Sequence, residues 1–319
     1  MSYFVGAYAS SPNVSGWDAS LETDYYNALK QLPNVRGLEH PFVGTLHPHD
    51  PDWFLANVDP TWDFVFTCVP GIMGAMGQNP NFGIASNNVE GRQQALEFMR
   101  KACAAIGQLT AHLGRQAVTA IEIQTSPNQG KCEASVASLE ASLREMLSWE
   151  WHGAQIVIEH CDTYVDGQTP AKGFLTIEQE IEAIQNVNSA VGSNIGLVVN
   201  WGRSVIETRS VEGAVNHINT AKEAGMLTGL MFSGVSDQDT EYGAWQDTHM
   251  PAEKGQDSQV GAAGSLMTES EIARCLSAAN AGELPIVGVK IGIRPHSTAM
   301  QERVDYNQAV LNMLAKHSS

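Results

Sequence analysis

A closed (β/α)8 barrel, the TIM barrel of the α/β class, is the fold that this sequence predicts, and three observations predict it. Eight short apolar runs punctuate the chain, each ending in polar residues. Each run is followed by a segment of helical periodicity, and regular alternation of strand with helix implies parallel strands joined by crossovers. The length, 319 residues, accommodates the roughly 250 residues of such a barrel with room for insertions. With no Pro/Ser-rich linker and no shift in composition, residues 1–319 read as one domain.

The strand-like runs are Tyr3–Tyr8, Val35–Glu39, Asp63–Val69, Ala117–Gln124, Gln155–His160, Gly196–Asn200, Gly229–Ser233 and Val287–Ile293. Between them, Thr176-Ile-Glu-Gln179 and Thr268-Glu-Ser-Glu271 have the spacing of capping boxes, which mark helix starts after the fifth and seventh strands. Gly91–Gly114 is the longest helical segment. Its Ala95, Leu96, Met99, Cys103, Ile106 and Leu109 recur mostly at three- and four-residue steps, the pattern of a stripe packed on the barrel. Ser138–Trp151, Val211–Ala224 and Val304–Lys316 continue the helical coat. Two connections exceed ordinary turns. Residues 235–267 hold Asp237, Asp239, Glu241, Tyr242, Trp245, Asp247, His249 and several glycines without sustained periodicity, the character of a lid after the seventh strand. Gly71–Glu90 is a second insertion and the weaker lid candidate.

The net charge of −17 and a pI near 4.9 oppose sequence-independent attraction to nucleic acid, which depends on clustered Lys and Arg. No apolar stretch has the length of a membrane span, and the amino terminus enters the first strand without a signal-peptide pattern. The five cysteines are scattered with no CxxC pair, so a reduced, cytoplasmic protein is expected. Neither a GxGxxG after a strand nor a Walker sequence supports nucleotide binding. Nothing in the pattern argues against a homo-oligomer.

Enzymes of this architecture place their chemistry at the carboxyl ends of the strands. Tyr8, Glu39, His40, Glu122, Gln124, Glu159, His160, Asn200, Arg203, Ser233, Lys290 and Arg294 are therefore expected around one mouth. Glu122 and Glu159 end adjacent apolar strands, where a carboxylate is costly without a function or a partner. As a pair they suit general acid/base work if their surroundings separate their pKa values. Lys290 alternates with apolar neighbours and should face the interior, where it needs a carboxylate or a substrate anion. Arg203 and Arg294 suit bidentate contact with an anion.

The phrases Val-Ile-Glu159-His160 and Gly-Leu-Val-Val-Asn200-Trp-Gly-Arg203, together with the strand order, resemble the xylose-isomerase-like TIM-barrel superfamily. That superfamily holds sugar isomerases, epimerases, inosose dehydratases and an endonuclease branch, and the whole chain looks like an uncharacterised sugar-isomerase-like bacterial family within it. The resemblance implies a divalent metal held by Glu on strand five, Asp on strand six, His on strand seven and Glu on strand eight. Here only Glu159 matches. Asn200, Ser233 and Lys290 stand at or near the other places, and one carboxylate, one amide and one lysine do not make such a site. No cofactor and no inherited metal is therefore expected, a rearranged metal site recruiting Glu122, His160 or His249 being the alternative.

The resulting expectation is an enzyme acting on a small carbohydrate or anionic sugar derivative by proton transfer next to a carbonyl, as an isomerase or epimerase. Glu122 and Glu159 form the acid/base pair, His160 orients or shuttles a proton, and Lys290 stabilises negative charge. Glu39, Asn200, Arg203, Ser233, His249 and Arg294 bind substrate. A lyase or dehydratase beginning with the same proton abstraction is the runner-up, and an inert sugar-binding relative the reading from a different class.

Overall fold

Eight parallel strands close into a barrel in chain order: β1 (Tyr3–Val5), β2 (Val35–Pro41), β3 (Asp63–Thr67), β4 (Val118–Ile123), β5 (Gln155–His160), β6 (Gly196–Asn200), β7 (Leu227–Phe232) and β8 (Ile286–Val289). This is the computed structural model of the chain, and it describes residues 1–318. The helices are α1 (Ala7–Ser10), α2 (Ala19–Leu29), α3 (Pro51–Asn57), α4 (Val69–Gln78), α5 (Val89–Leu113), α6 (Val136–Met146), α7 (Ile177–Val191), α8 (Trp201–Thr208), α9 (Glu212–Glu223), α10 (Glu269–Ala279) and α11 (Met300–His317). Among the described residues no helix is long and apolar enough to cross a membrane.

Strand alternation divides the barrel interior into layers. Phe4, Val65, Ala120, Val157, Val198, Met231 and Ile286 form a buried apolar cluster of their own, the packed floor. Two residues further along most of the strands, the same inward face carries Thr67, Glu122, Glu159, Asn200 and Ser233, all buried. On β2 the inward residue at this level is Glu39, whose register partner on β3 is Val65. The larger apolar core lies between the outer face of the strands and the helices.

The helix signals act as expected, with shifted boundaries. Thr176 Oγ1 accepts from the Gln179 amide and Gln179 returns the bond, completing the capping box of α7. At α10, Thr268 accepts from the Glu271 amide. The stripe on α5 is core, and its end is set by Gly114 at φ +66°, a left-handed position that suits glycine. Three expectations change. The first strand ends at Val5 rather than Tyr8, which lies in α1. The Gly71–Glu90 insertion is not a plain loop, because α4 occupies its first part. The eighth strand ends at Val289 rather than Ile293, so Lys290 extends the inward face just past the last ladder pair.

Candidate active site

The polar layer is a closed electrostatic network. Glu159, on β5, accepts at both oxygens: Oε1 from Asn200 Nδ2 at 2.9 Å and Lys290 Nζ at 3.4 Å, Oε2 from Gln124 Nε2 at 2.8 Å and Arg203 Nη1 at 2.7 Å. Lys290 Nζ also lies 2.5 Å from Glu39 Oε1. Arg203 Nε reaches Asp247 Oδ2 at 3.1 Å, which Lys172 Nζ contacts at 2.7 Å. Local folding places these groups. Asn200 ends β6 and caps α8, its Oδ1 accepting from the Arg203 amide at 3.3 Å while its Nδ2 serves Glu159. Only an amide does both, since an aspartate here would face Glu159 with like charge. Gly6 leaves room at the centre: a β-carbon there would lie 2.8 Å from Glu39 Oε2 and 3.0 Å from Lys290 Cγ.

Glu122 is the exception to this pairing. It is fully buried, and neither carboxyl oxygen has a hydrogen-bond partner among the described residues. Its oxygens and those of Glu39 and Glu159 lie within 4.8 Å of one another. Burial, then the charges of Glu159 and Glu39, hold the Glu122 carboxyl well above the usual carboxylate range. Glu39 is also raised by burial, although Lys290 opposes the shift. Glu159 goes the other way. Burial penalises its charge, but Arg203 and Lys290 outweigh that penalty and bring it down to about 2. With Glu122 protonated, the carboxylates of Glu39, Glu159 and Asp247 balance Lys172, Arg203 and Lys290.

The depressed Glu159 value sets an acid limit. Its unfolded value is about 4.3, so its stabilisation is fully present above that pH and is lost as pH falls towards about 2. Urea midpoints measured from pH 5 to 2 are expected to fall less steeply in Glu159→Gln than in the unmodified protein. Equal slopes would show that Glu159 is not held ionised by this network.

On the side of β1 and β2 the layer meets a cavity at Glu39. The cavity, of about 220 Å³, is lined by Tyr8, Trp17, Tyr26, Glu39, His47 and His49 among others. Trp17 stacks on His49 with ring centres 5.0 Å apart and 14° between planes, giving an aromatic wall beside Glu39. Several buried polar atoms at this end of the barrel have no partner among the described residues: Tyr8 Oη, Thr67 Oγ1, Gln124 Oε1 and Arg203 Nη2, besides both Glu122 oxygens. Buried polar groups are ordinarily satisfied, so a concentration of unsatisfied ones marks a place for a polar ligand.

Most of the residues expected from the sequence meet here: Glu39, Glu122, Glu159, Asn200, Arg203 and Lys290 in one network, with Ser233 and His249 at its edge, where Ser233 Oγ and His249 Nδ1 are 2.7 Å apart. Two do not. His160 follows Glu159 and therefore faces out of the barrel, where its Nδ1 meets Glu180 Oε2 at 2.8 Å and its Nε2 meets Glu207 Oε2 at 3.2 Å. Burial disfavours its charge, but Glu180 and Glu207 raise it to about 10, so it is no shuttle for the interior. Arg294 lies beyond β8 in a depression with Thr240, Tyr242 and Tyr306, and its backbone N–H donates to Tyr242 Oη. His40 also faces outward, bonded to the Leu46 carbonyl. Conversely, Asp247 and Lys172 belong to the network without having been singled out. Asp247 comes from the 235–267 loop, which also returns its backbone to β7 through paired Gly234 and Met250 hydrogen bonds.

The divalent metal that the sequence resemblance implies does not fit these residues. The Lys290 ammonium holds the position between Glu39 and Glu159 that a cation would take. All four close contacts on Glu159 are N–H donors, and no imidazole is among them.

In fold, the barrel is similar to solved xylose-isomerase-like structures. A xylose isomerase domain protein from Alicyclobacillus acidocaldarius superposes with a TM-score of 0.54 at 11% identity, covering 100% of both chains. A sugar phosphate isomerase/epimerase from Parabacteroides distasonis gives 0.56 at 11% identity, covering 100% of this chain and 95% of the other. In sequence, the uncharacterized protein STM3670 of Salmonella typhimurium is 32% identical over 316 residues, 98% of this chain and 97% of that protein. Residues 4–306 match the family described as domain of unknown function DUF4862, and the chain belongs to that family.

Proposed function

We propose that this barrel is an isomerase or epimerase of a small sugar or sugar acid, working by proton transfer at the carbon next to a carbonyl. The observation that carries the reading is the Glu122 carboxyl: buried, without a cation or N–H donor, raised in pKa, and beside the two ionised carboxylates of Glu39 and Glu159. Pairs of acids pushed apart in this way are how one site does acid and base chemistry at neutral pH. Glu39, ionised against Lys290 yet raised by burial, takes the proton from carbon. Glu122 donates to the carbonyl oxygen, and Lys290 with the free Nη2 of Arg203 stabilises the developing enediolate. Glu159, with four donors on its two oxygens, anchors those cations rather than moving a proton. The acid/base pair thus becomes Glu39 and Glu122 in place of Glu159 and Glu122. The unpaired hydroxyl and amide groups around the mouth suit a polyhydroxylated ligand, and Trp17 offers a flat face for its C–H groups.

The reaction so described needs no metal, because Lys290 and Arg203 supply the positive charge. The protein is incubated in D2O, with a chelator present, against a panel of aldoses, ketoses and their acids and phosphates. Deuterium wash-in beside the carbonyl of at least one member is expected, read by NMR. Wash-in that stops with the chelator and returns with added metal would overturn the metal-free reading. Ligand binding without wash-in for any member would make the protein a sugar-binding relative instead.

A further inference from the structure

A second cluster, on the outer face of the barrel, has the build of a metal site. It is independent of the proposed reaction. His160 of β5, Glu207 of α8 and His217 of α9 each present a ligand atom, and these atoms lie within 4.8 Å of one another. Both imidazoles turn Nε2 towards the same carboxylate. His160 Nε2 is 3.2 Å from Glu207 Oε2, and His217 Nε2 is 3.5 Å from Glu207 Oε1. With zinc bonds of about 2.0–2.1 Å, ligand atoms of a tetrahedron sit roughly 3.3 Å apart, close to each of the two imidazole–carboxylate spacings, one at each Glu207 oxygen.

The opposite ring nitrogens are fixed as well. His160 Nδ1 is held by Glu180 Oε2 at 2.8 Å, and Glu180 is in turn oriented by Thr125 Oγ1 at 2.6 Å. His217 Nδ1 is held by Ser204 Oγ at 2.9 Å. A carboxylate or hydroxyl on the far nitrogen is what orients metal-binding histidines and raises their basicity. Side chains of His217 and Glu207 are about one-tenth exposed and that of His160 is buried, and Glu207 Oε2 also accepts from the Thr163 amide at 2.9 Å.

We propose that His160, Glu207 and His217 bind one zinc-like transition ion in a structural site. Two imidazoles and one carboxylate favour zinc or cobalt over magnesium or calcium, which prefer all-oxygen shells. On binding, the proton that His160 shares with Glu207 leaves to solvent and the ion takes its place. The ion would tie β5 to α8 and α9. Glu159 is the neighbour of His160 on β5, and Arg203 stands at the start of α8, so the site would brace both from behind.

The test uses full-length protein stripped of metal and titrated with zinc against a chromophoric indicator. One ion per chain and a raised thermal midpoint are expected, and cobalt should give the intense visible bands of tetrahedral coordination. His217→Ala, His217→Gln and Glu207→Gln should each weaken zinc by about 10²-fold or more, and Ser204→Ala by about 10-fold, with folding checked by circular dichroism. Glu122→Gln should keep the stoichiometry. Chelation should lower the thermal midpoint while deuterium wash-in continues, which separates this proposal from the proposed reaction. No stoichiometric binding, binding unchanged in both His217 variants, or binding lost in Glu122→Gln would each overturn it.

Discussion

Glu122→Gln is expected to lower kcat by about 10²-fold or more, the usual contribution of a positioned acid, while the protein still folds. The amide fills the same space, and its N–H groups lie where a donor to Glu39 or Glu159 is welcome, since the Glu122 oxygens stand within 4.8 Å of both. The difference in stability should open above the unfolded carboxylate value of about 4.3 and widen as pH rises. Because the folded carboxyl is raised, its contribution is present below the unfolded value and is lost as pH climbs through the folded value. The variant carries no such group, so it should overtake the unmodified protein in urea midpoint at high pH. Glu159→Gln differs in kind: it removes the acceptor of four donors and should act first on stability. If Glu122→Gln washes deuterium into substrate at the unmodified rate, the general acid is not Glu122, and the donor must be sought at Tyr8, whose buried hydroxyl is also unpartnered.

What was legible in the sequence follows from periodicity. An inward-facing residue on a strand is two positions from the next, so Glu122, Glu159, Asn200 and Lys290 could be assigned to one face from pattern alone, and β5 and β6 coincide with the expected runs. The same rule could have excluded His160, because adjacent residues on a strand point to opposite faces; reading it beside Glu159 ignored that alternation. Asp247 and Lys172 had no such signal. They lie in long connections without a period, and only the fold brings the 235–267 loop and the β5–α7 connection together over Arg203. The Asp247-Thr-His249 spacing within that loop was the one local hint, since both flanking residues approach Ser233 or Arg203. Lys290 meets a carboxylate as expected, but Glu39 as its nearer partner had no signal for a related reason. Glu39 sits near the end of β2, next in the barrel to β1 and two strands from β8, a proximity that exists only after closure.

Lys290→Met should destabilise the protein by about 3–5 kcal/mol, the cost of leaving a buried charge without its partner. Methionine fills much of the volume of the lysine stem, so packing contributes little to the loss. The charge is what remains: Glu39 keeps no other close cation, and Glu159 keeps only Arg203. Adding Glu39→Gln removes the stranded carboxylate, so the double variant should recover part of the loss, and the non-additivity in a double-mutant cycle measures the Lys290–Glu39 interaction. Equilibrium urea unfolding of the four proteins checks this. A Lys290→Met midpoint equal to that of the unmodified protein, or strict additivity with Glu39→Gln, would mean that the two side chains are not an ion pair. It would also remove the positive centre on which metal-free stabilisation of an enediolate depends. If the cycle shows coupling, the lysine occupies the position of a cation in the fold's energetics as well as in its geometry.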